Sequence, residues 1–556
     1  MWLVRGTPLA GAERIQTGVI MKQYEMFRLE FTGNEPEGSA SVVNLRAAFT
    51  CNGVTRMVDG FYAGEGRYEI RYLPEEPGMI SWAVEGIFTA SGEEECLPAD
   101  GSRHGLVKAD GTQLRYEDGT PFYSVGTTVY AMMHQTKELI EQTKASLKAS
   151  PFNKVRTCVF PKHYVFNENE PELFAFQRLT DGKSEVNSDE NPGGKPDGNA
   201  AGSLAAGFDF NRPCYAFWDV FDRAIEELGE AGIQVDIILF HPYDCWGFAQ
   251  MSREQYLPYL HYLLARFAAH ANVWWSLANE YDCMHHFTEA DWNCIGETIH
   301  EKDIYGHMLS CHYMLKPFDY AKDYVTHASV QGDVTEVENL MAQYHKPVLM
   351  DEFGYEGNID CHWGHLSGFE LVNRFWLCCV MGGYGTHGET FVEDHDILWW
   401  GKGGVLRGQS VPRIAFLRKI MESLPGYLEP VPFGVMDPEK VKAARNHPHP
   451  EELPDFARAL LVLPDEKIEQ VLRNLAKDTR IYTGHCGEEA YLAYYGRHCT
   501  AMGELELPEN AEYCVEIIDV WEMTRTMYAE RASGRISLRL PGKEGIAVLA
   551  RKCETL

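Results

Sequence analysis

Asn272-Val273-Trp274-Trp275-Ser276-Leu277-Ala278-Asn279-Glu280-Tyr281-Asp282 is the stretch on which the fold turns. It opens as a near-continuous apolar run and closes on an Asn-Glu pair, with a second acid two residues on. A parallel strand covered on both faces reads this way, because neither face meets water. An acid at the C-terminal end of such a strand lies where barrel proteins keep their chemistry. Acids also close strands as turn or capping residues, so one such ending is weak by itself. Pro347-Val348-Leu349-Met350-Asp351-Glu352-Phe353-Gly354 repeats the form. Two strand-end glutamates far apart in sequence, carried to one rim by a single barrel, give two carboxyl groups able to work on one bond.

Working outward, six further strands are expected to alternate with helices. They are 121–128, 154–160, 234–240, 308–313, 324–330 and 380–389. Helical spacing shows in Phe217, Phe221, Ala224 and Leu228, and again in Leu260, Leu263, Leu264 and Phe267. Eight strand–helix units across roughly 121–424 predict a (β/α)8 TIM barrel. A doubly wound open sheet competes, but no glycine-rich phosphate loop opens a helix. A Gly-, Asn-, Asp-, Ser- and Pro-rich insertion, 181–207, follows the second strand and is expected over the active face of the barrel.

On either side the pattern changes to alternation. Phe27, Leu29 and Phe31 share one face, and so do Tyr68, Ile70 and Tyr72, so 1–100 reads as an immunoglobulin-like β-sandwich. Gly60 to Gly66 is expected to be a tight corner, with a ligand contact at the barrel mouth as the weaker alternative. The barrel domain takes 106–426. Beyond it, 427–556 returns to strands, apart from a helix at 466–476, and reads as a C-terminal β-sandwich. Its expected role is packing, with carbohydrate binding a minority option.

Composition bounds the function. At 556 residues the chain is too long for one core. With 50 basic against 81 acidic residues and a net charge of −31, nucleic acid and anionic membrane are excluded as partners. Fifteen cysteines lack any C-x-x-C spacing. With no signal pattern over 1–18 and no apolar run of about 20 residues, a cytoplasmic location is expected. A homo-oligomer is left open.

Glycosidic cleavage passes through an oxocarbenium-like state and needs two carboxyl groups flanking the anomeric carbon. One must hold a proton at neutral pH, which a neighbouring carboxylate promotes. Glu280 is assigned as acid/base and Glu352 as nucleophile. Asn279 would place its amide on the sugar hydroxyl beside the reacting carbon.

Leu277-Ala278-Asn279-Glu280 and Met350-Asp351-Glu352-Phe353-Gly354 resemble the fourth- and seventh-strand motifs of clan A glycoside hydrolases. The Gly-Phe-Tyr-x-Gly-x-Gly-x-Tyr run from Gly60 to Tyr68 and the barrel start Val125-Gly126-Thr127-Thr128 resemble a bacterial glycosidase group with flanking sandwiches and apiosidase-like relatives. The resemblance implies hydrolysis with retention and no metal or organic cofactor. It also implies that Arg156 hydrogen-bonds the nucleophile. The clan's sixth-strand tyrosine is missing, so His327 or Tyr313 is expected to substitute. Trp399 and Trp400 are candidates for the aromatic platform after the eighth strand, with at most one stacking. His387 and Glu389 would line the first subsite, and Glu389 is the rival nucleophile. Tyr130, His241, Tyr243, Asp244 and Trp246 sit at predicted strand ends and are candidates to grip sugar hydroxyls.

The expected activity is removal of a terminal sugar from an oligosaccharide or small glycoside. Two alternatives are a non-catalytic carbohydrate-binding protein on a barrel scaffold and a metal-dependent barrel hydrolase. His285-His286 and His362-x-x-His365 carry the metal reading, but without a third ligand at fixed spacing.

Overall fold

The computed structural model describes residues 14–15, 21–179, 207–392, 398–433 and 437–553. The expectation for the 181–207 insertion falls almost wholly outside the described residues. Its described flanks, Phe176–Arg178 and Phe208–Pro213, pair as an antiparallel ribbon.

Eight parallel strands form a nearly closed barrel. In chain order they are Val125–Thr128, Lys154–Cys158, Gln234–Ile238, Val273–Ser276, Leu309–Ser310, Ala328–Gln331, Val348–Glu352 and Tyr384–His387. Neighbours run fifth, fourth, third, second, first, eighth, seventh, sixth. The remaining seam, between fifth and sixth, is stitched by the Thr326 N–H on the Leu309 carbonyl (2.9 Å) and the Ser310 hydroxyl on the His327 carbonyl (2.6 Å). The observed strands are shorter than the apolar runs. Residues such as Leu277, Ala278, Val159 and Phe160 are fully buried yet lie beyond the ladder. Burial extends past pairing, and burial is what the sequence pattern reports.

Two sheets precede the barrel, antiparallel throughout except where Met21–Lys22 runs parallel to Ala90–Leu97. One has four strands, built around Phe27–Thr32 and Arg67–Tyr72, and the other has five, built around Leu45–Cys51 and Gly78–Gly86. Their inward faces meet through rings such as Phe49 and Tyr72, stacked at 4.1 Å. The glycine corner proves to be a docking element. Gly64, at φ 89°, leaves room for the Tyr215 ring, where a Cβ would come within 2.6 Å. The Tyr262 hydroxyl bonds the Tyr62 carbonyl (3.2 Å). Tyr215 and Tyr262 belong to barrel helices Tyr215–Glu230 and Arg253–Phe267. Beside them, buried Arg71 bridges Glu69 (2.9 Å) and Asp222 (2.7 Å).

The chain divides into two compact units. The first holds Met1–Gly332, Gln343–Leu366 and Thr386–Gly408, and so all the strand ends discussed below. The second holds Asp333–Ala342, Ser367–Gly385 and Gln409–Leu556. There a six-stranded antiparallel sheet and the pair Met502–Glu506 and Arg535–Arg539 enclose a core of Tyr513, Val515, Leu538 and Val548. Between strands Glu429–Phe433 and Ile481–Cys486 comes a helical insert: Pro438–Ala443, Asp455–Leu461 and Asp465–Thr479. It packs on its own small core of Leu460, Ile468 and Leu472. Only the last of these helices is long enough to register as a sequence period.

Candidate active site

The fourth strand ends in a backbone turn that side chains rarely adopt. Glu280 stands at φ 55°, ψ 54° and leads into a short helical turn, Tyr281–Cys283. A left-handed non-glycine residue of this kind costs about 1–3 kcal/mol and persists only when its surroundings fix it. Here the Asn279 N–H is tied to the Phe240 carbonyl (2.9 Å) and the Tyr281 N–H to the His312 carbonyl (3.0 Å). Those carbonyls follow the third and fifth strands, so both neighbours clamp the turn. Asp282 accepts N–H bonds from Met314, Leu315 and Lys316 (2.8, 2.8 and 2.9 Å), which makes it a loop anchor.

The seventh strand reaches the same level through a register slip. Val330 pairs with Met350, but Gln331 pairs with Glu352, so Asp351 is the extra residue of a bulge. Successive strand residues normally face opposite sides, and a bulge relaxes that alternation. Asp351 and Glu352 are both buried and bond different partners within the barrel.

One phenol joins these two strand ends. The Tyr130 hydroxyl lies within hydrogen-bond reach of both Glu352 and Asn279 Oδ1, the latter at 3.0 Å. Arg156 approaches the same pair, with Nη2 at 3.3 Å from Asn279 Oδ1 and Nη1 at 3.8 Å from Glu352 Oε1. A second phenol, Tyr243, donates to Glu280. Burial, and next the charge of Glu352, push the Glu280 carboxyl up to about 7, against the pull of Lys162 and the Tyr243 bond. Among the described residues the Asn279 amide nitrogen and the Arg156 Nη1 have no hydrogen-bond acceptor. The arrangement offers a proton near neutral pH, a carboxylate held by a cation and a phenol, and unused donors around both.

Beneath this level lies an ionic network. Lys154 Nζ meets Asp351 (2.8 Å) and Asp236 (3.3 Å), and Arg156 Nε stands 3.6 and 3.9 Å from the same two acids. Asp351 also accepts from Ser329 (2.6 Å) and Thr386 (2.8 Å). Burial opposes its charge, yet Lys154 and Arg156 hold it far below the usual carboxylate range.

The other sequence candidates divide. Trp400 packs against Tyr130 (5.3 Å), Tyr164 (5.4 Å) and Trp363 (4.8 Å), in the aromatic wall beside Glu352. Trp399 points elsewhere and donates to Thr127 (2.9 Å). His241 bonds the Phe160 carbonyl (3.1 Å), and burial holds its imidazole down to about 3, hence neutral. Asp244 accepts from the Trp246 and Ala249 N–H groups (2.8 and 2.7 Å), and Trp246 donates to Glu170 (2.9 Å), so both build their loop. His387 bonds Thr127 (3.0 Å) and stacks on Phe152 at 4.6 Å. Glu389 takes the Arg407 and Gly408 N–H groups (2.8 and 2.7 Å) and so fixes the loop that follows it.

One expectation needs correcting. The sixth strand begins at Ala328, so His327 lies at its start and not at its C-terminal end; its ring meets Trp274 at 5.6 Å, beside Lys154. Tyr313, half-buried after the fifth strand, lies beside His312. A phenol on Glu352 comes from Tyr130, after the first strand. Sequence reading missed Lys162, His312 and Tyr355, all buried here. Lys162 and Tyr355 follow a predicted strand within a few residues and His312 lies at the end of one, and that position was the signal available.

Among the described residues no group of three or more His, Cys, Asp or Glu is arranged to hold a metal ion. Nor is any described helix long and apolar enough to cross a membrane.

Comparison with known proteins places this geometry. The model of an apiosidase-like catalytic domain matches residues 108–423. Two domains of unknown function flank it, DUF5060 at 20–86 and DUF5605 at 480–551. A solved candidate glycoside hydrolase from Bacteroides vulgatus is 31% identical, over 96% of this chain and 99% of its own, with a TM-score of 0.79. A family 5 glycoside hydrolase from the same organism is 16% identical, over 80% of this chain and 93% of its own, at TM-score 0.54, a likeness of fold alone. Among curated proteins there is no match.

Proposed function

Because the chain belongs to the apiosidase-like family and is a glycoside hydrolase, we propose that it removes a terminal sugar from an oligosaccharide or small glycoside by double displacement with retention. Glu352 attacks the anomeric carbon, and Glu280 protonates the leaving oxygen, then activates water for the second step. The observation that carries this reading is the reach of a single phenol, Tyr130, to both Asn279 and Glu352, which joins the fourth and seventh strand ends. Glu280 follows Asn279 directly, and its raised carboxyl supports the acid role. Arg156 places a guanidinium 3.8 Å from the Glu352 carboxyl that would attack. The Asn279 amide nitrogen is then the donor for the adjacent sugar hydroxyl.

We retain three domains, 1–100, 106–426 and 427–556, with the chemistry in the second. Fifteen free cysteines support a reducing, cytoplasmic setting and short, imported substrates.

A panel of 4-nitrophenyl glycosides, an apioside among them, tests the activity. Proton NMR of the first-released sugar reads the stereochemistry. Retention is expected, and an inverted anomer sinks the double displacement. In Glu352→Gln turnover should vanish. In Glu280→Gln an activated aryl substrate should still form a glycosyl-enzyme, which then accumulates. Wild-type turnover in either variant removes that residue from its role.

A further inference from the structure

We propose that Lys162 is a positioning residue: it is the third buried cation of the site, and it allows one, and only one, of Glu280 and Glu352 to ionise. This rests on the glycosidase reading above and adds the group that sets its proton count.

The argument is one of charge and place. On the second, third, fourth and seventh strands and just after them stand three buried cations, Lys154, Arg156 and Lys162, and four buried carboxyl groups, Asp236, Asp351, Glu280 and Glu352, while the buried Glu356 and Glu389 lie together against the Gly408 loop. Lys154 and Arg156 both bridge Asp236 and Asp351 at 2.8–3.9 Å, with burial raising Asp236 against their pull, and Arg156 also reaches Glu352 (3.8 Å), so those two cations are spread over three acids. Lys162 then faces two glutamates. Burying unbalanced charge is costly, so a single ammonium supports a single carboxylate and leaves the other acid protonated.

Its placement suits that part. Lys162 is 1% exposed. Its Nζ stands 3.4 Å from the Tyr130 ring centre and 4.2 Å from that of Tyr243, with Tyr164 and Trp400 at 5.0 and 5.1 Å. Aromatic faces stabilise a cation without neutralising it. Tyr130 bonds Glu352, and Tyr243 bonds Glu280. The ammonium therefore sits over the two phenols that hold the pair, and among the described residues it is ion-paired to neither acid. A turn fixes its backbone, with the Asn167 amide on the Lys162 carbonyl at 2.5 Å.

The remaining titratable groups near the pair leave the count intact. From the second strand Cys158 is pushed up to about 12 by burial and stays a thiol. After the third and fifth strands His241 and His312 are held neutral by burial. The phenols of Tyr130, Tyr243 and Tyr355 are pushed up, chiefly by burial. After the fourth strand the Cys283 thiol is pushed up to about 11, and Asp282, more exposed, is committed to backbone N–H groups. Burial holds Lys162 below the usual ammonium range, against the upward pull of Cys158, Glu280 and Glu352.

The test compares pH profiles of kcat/KM for native protein, Lys162→Met and Lys162→Arg on the 4-nitrophenyl glycoside turned over fastest. With the charge gone, both limbs should move to higher pH, the acid limb by about 1–2 units, with at least a tenfold loss below it. Lys162→Arg should keep the native limbs. A Met variant with a lowered plateau but native limbs overturns the proposal, since a purely structural role changes only the amount of active enzyme. Should the Met variant not fold, NMR of 13Cε-lysine native protein decides without turnover, with Lys162 assigned by the peak missing from Lys162→Arg. An uncharged Lys162 at neutral pH overturns the proposal, and a charged one supports it. The two failures are distinguishable: active Glu280→Gln or Glu352→Gln sinks the assignment of the catalytic pair, and no turnover of any glycoside by native protein sinks the glycosidase reading, whereas inactive variants with unmoved limbs in Lys162→Met sink only this role.

Discussion

At the level of Lys154 the two barrel acids are enclosed by cations and hydroxyls, although among the described residues the Arg156 Nε that faces them lacks an acceptor; just above, at Glu280 and Glu352, donors on two different residues are left open. Below, Asp351 receives Lys154, Ser329 and Thr386 at 2.6–2.8 Å, and Asp236 shares the same lysine. Above, each glutamate has its phenol, but the Asn279 amide nitrogen and the Arg156 Nη1 lack acceptors among the described residues. The two levels use the same residue types. They differ in how completely those residues are paired, and buried polar groups without partners are rare enough to need a reason. The bulge at Asp351 and the left-handed turn at Glu280 mark the same boundary, since both bend the backbone where the proposed chemistry begins. A fully bonded buried ion holds a structure together, and an under-bonded one is held ready for a ligand.

Replacement at each level should break that comparison in opposite ways. Glu352→Gln, in the upper level, is expected to lower kcat about 10⁴-fold or more while leaving the melting temperature within a few degrees of native. Steady-state kinetics on the best aryl glycoside, with a thermal melt beside it, reads both. If activity survives, the upper level is not the reacting one. Asp351→Asn, in the lower level, strands Lys154 without its nearest acid and should cost about 3–5 kcal/mol of stability. A urea melt measures it. Loss of activity at unchanged stability would mean that the lower level belongs to the site and not to the scaffold. Smaller again, Trp399→Phe removes only the donor to Thr127 and should cost about 1 kcal/mol, whereas Trp400→Ala should raise KM by disturbing the aromatic wall.

How much of this was legible follows from which physics writes itself into sequence. Burial does, so the apolar runs at 273–278 and 348–350 located the strands and the glutamates that end them. Ladder pairing does not, and the sixth strand was consequently placed too early, with His327 at the wrong end of the barrel. The side of a strand that a residue faces is predictable only while alternation holds, and the bulge at Asp351 breaks it. Loop residues were the weakest part of the reading. Tyr130, His241, Tyr243, Asp244 and Trp246 looked alike at strand ends. Yet Tyr130 and Tyr243 bond the glutamates, Asp244 and Trp246 bond their own loop, and His241 bonds a backbone carbonyl. Nothing in a single chain distinguishes a phenol turned inward from one closing a turn. The adjacent tryptophans were different, because neighbouring side chains must diverge, and Trp399 and Trp400 do.

A pH-dependent effect sharpens the contrast most, because it separates stability from function at one residue. Burial and the charge of Glu352 raise the Glu280 carboxyl from an ordinary value near 4.5 to about 7. The folded protein therefore keeps this proton over a range in which the unfolded chain has released it, so the folded state binds more protons between those two values. Stability then falls as pH rises through that window, and the contribution present below about 4.5 is gone above about 7. At 1.36 kcal/mol per unit the full span is about 3 kcal/mol. Glu280→Gln keeps the shape and the left-handed turn but cannot ionise. It should be close to native in stability at pH 4 and more stable than native by about 3 kcal/mol at pH 8, while losing its proposed acid/base function throughout. Urea melts of both proteins at the two pH values measure this. An equal difference at both would show that Glu280 does not hold its proton in the folded state, and the division of labour between the two glutamates would fall with it.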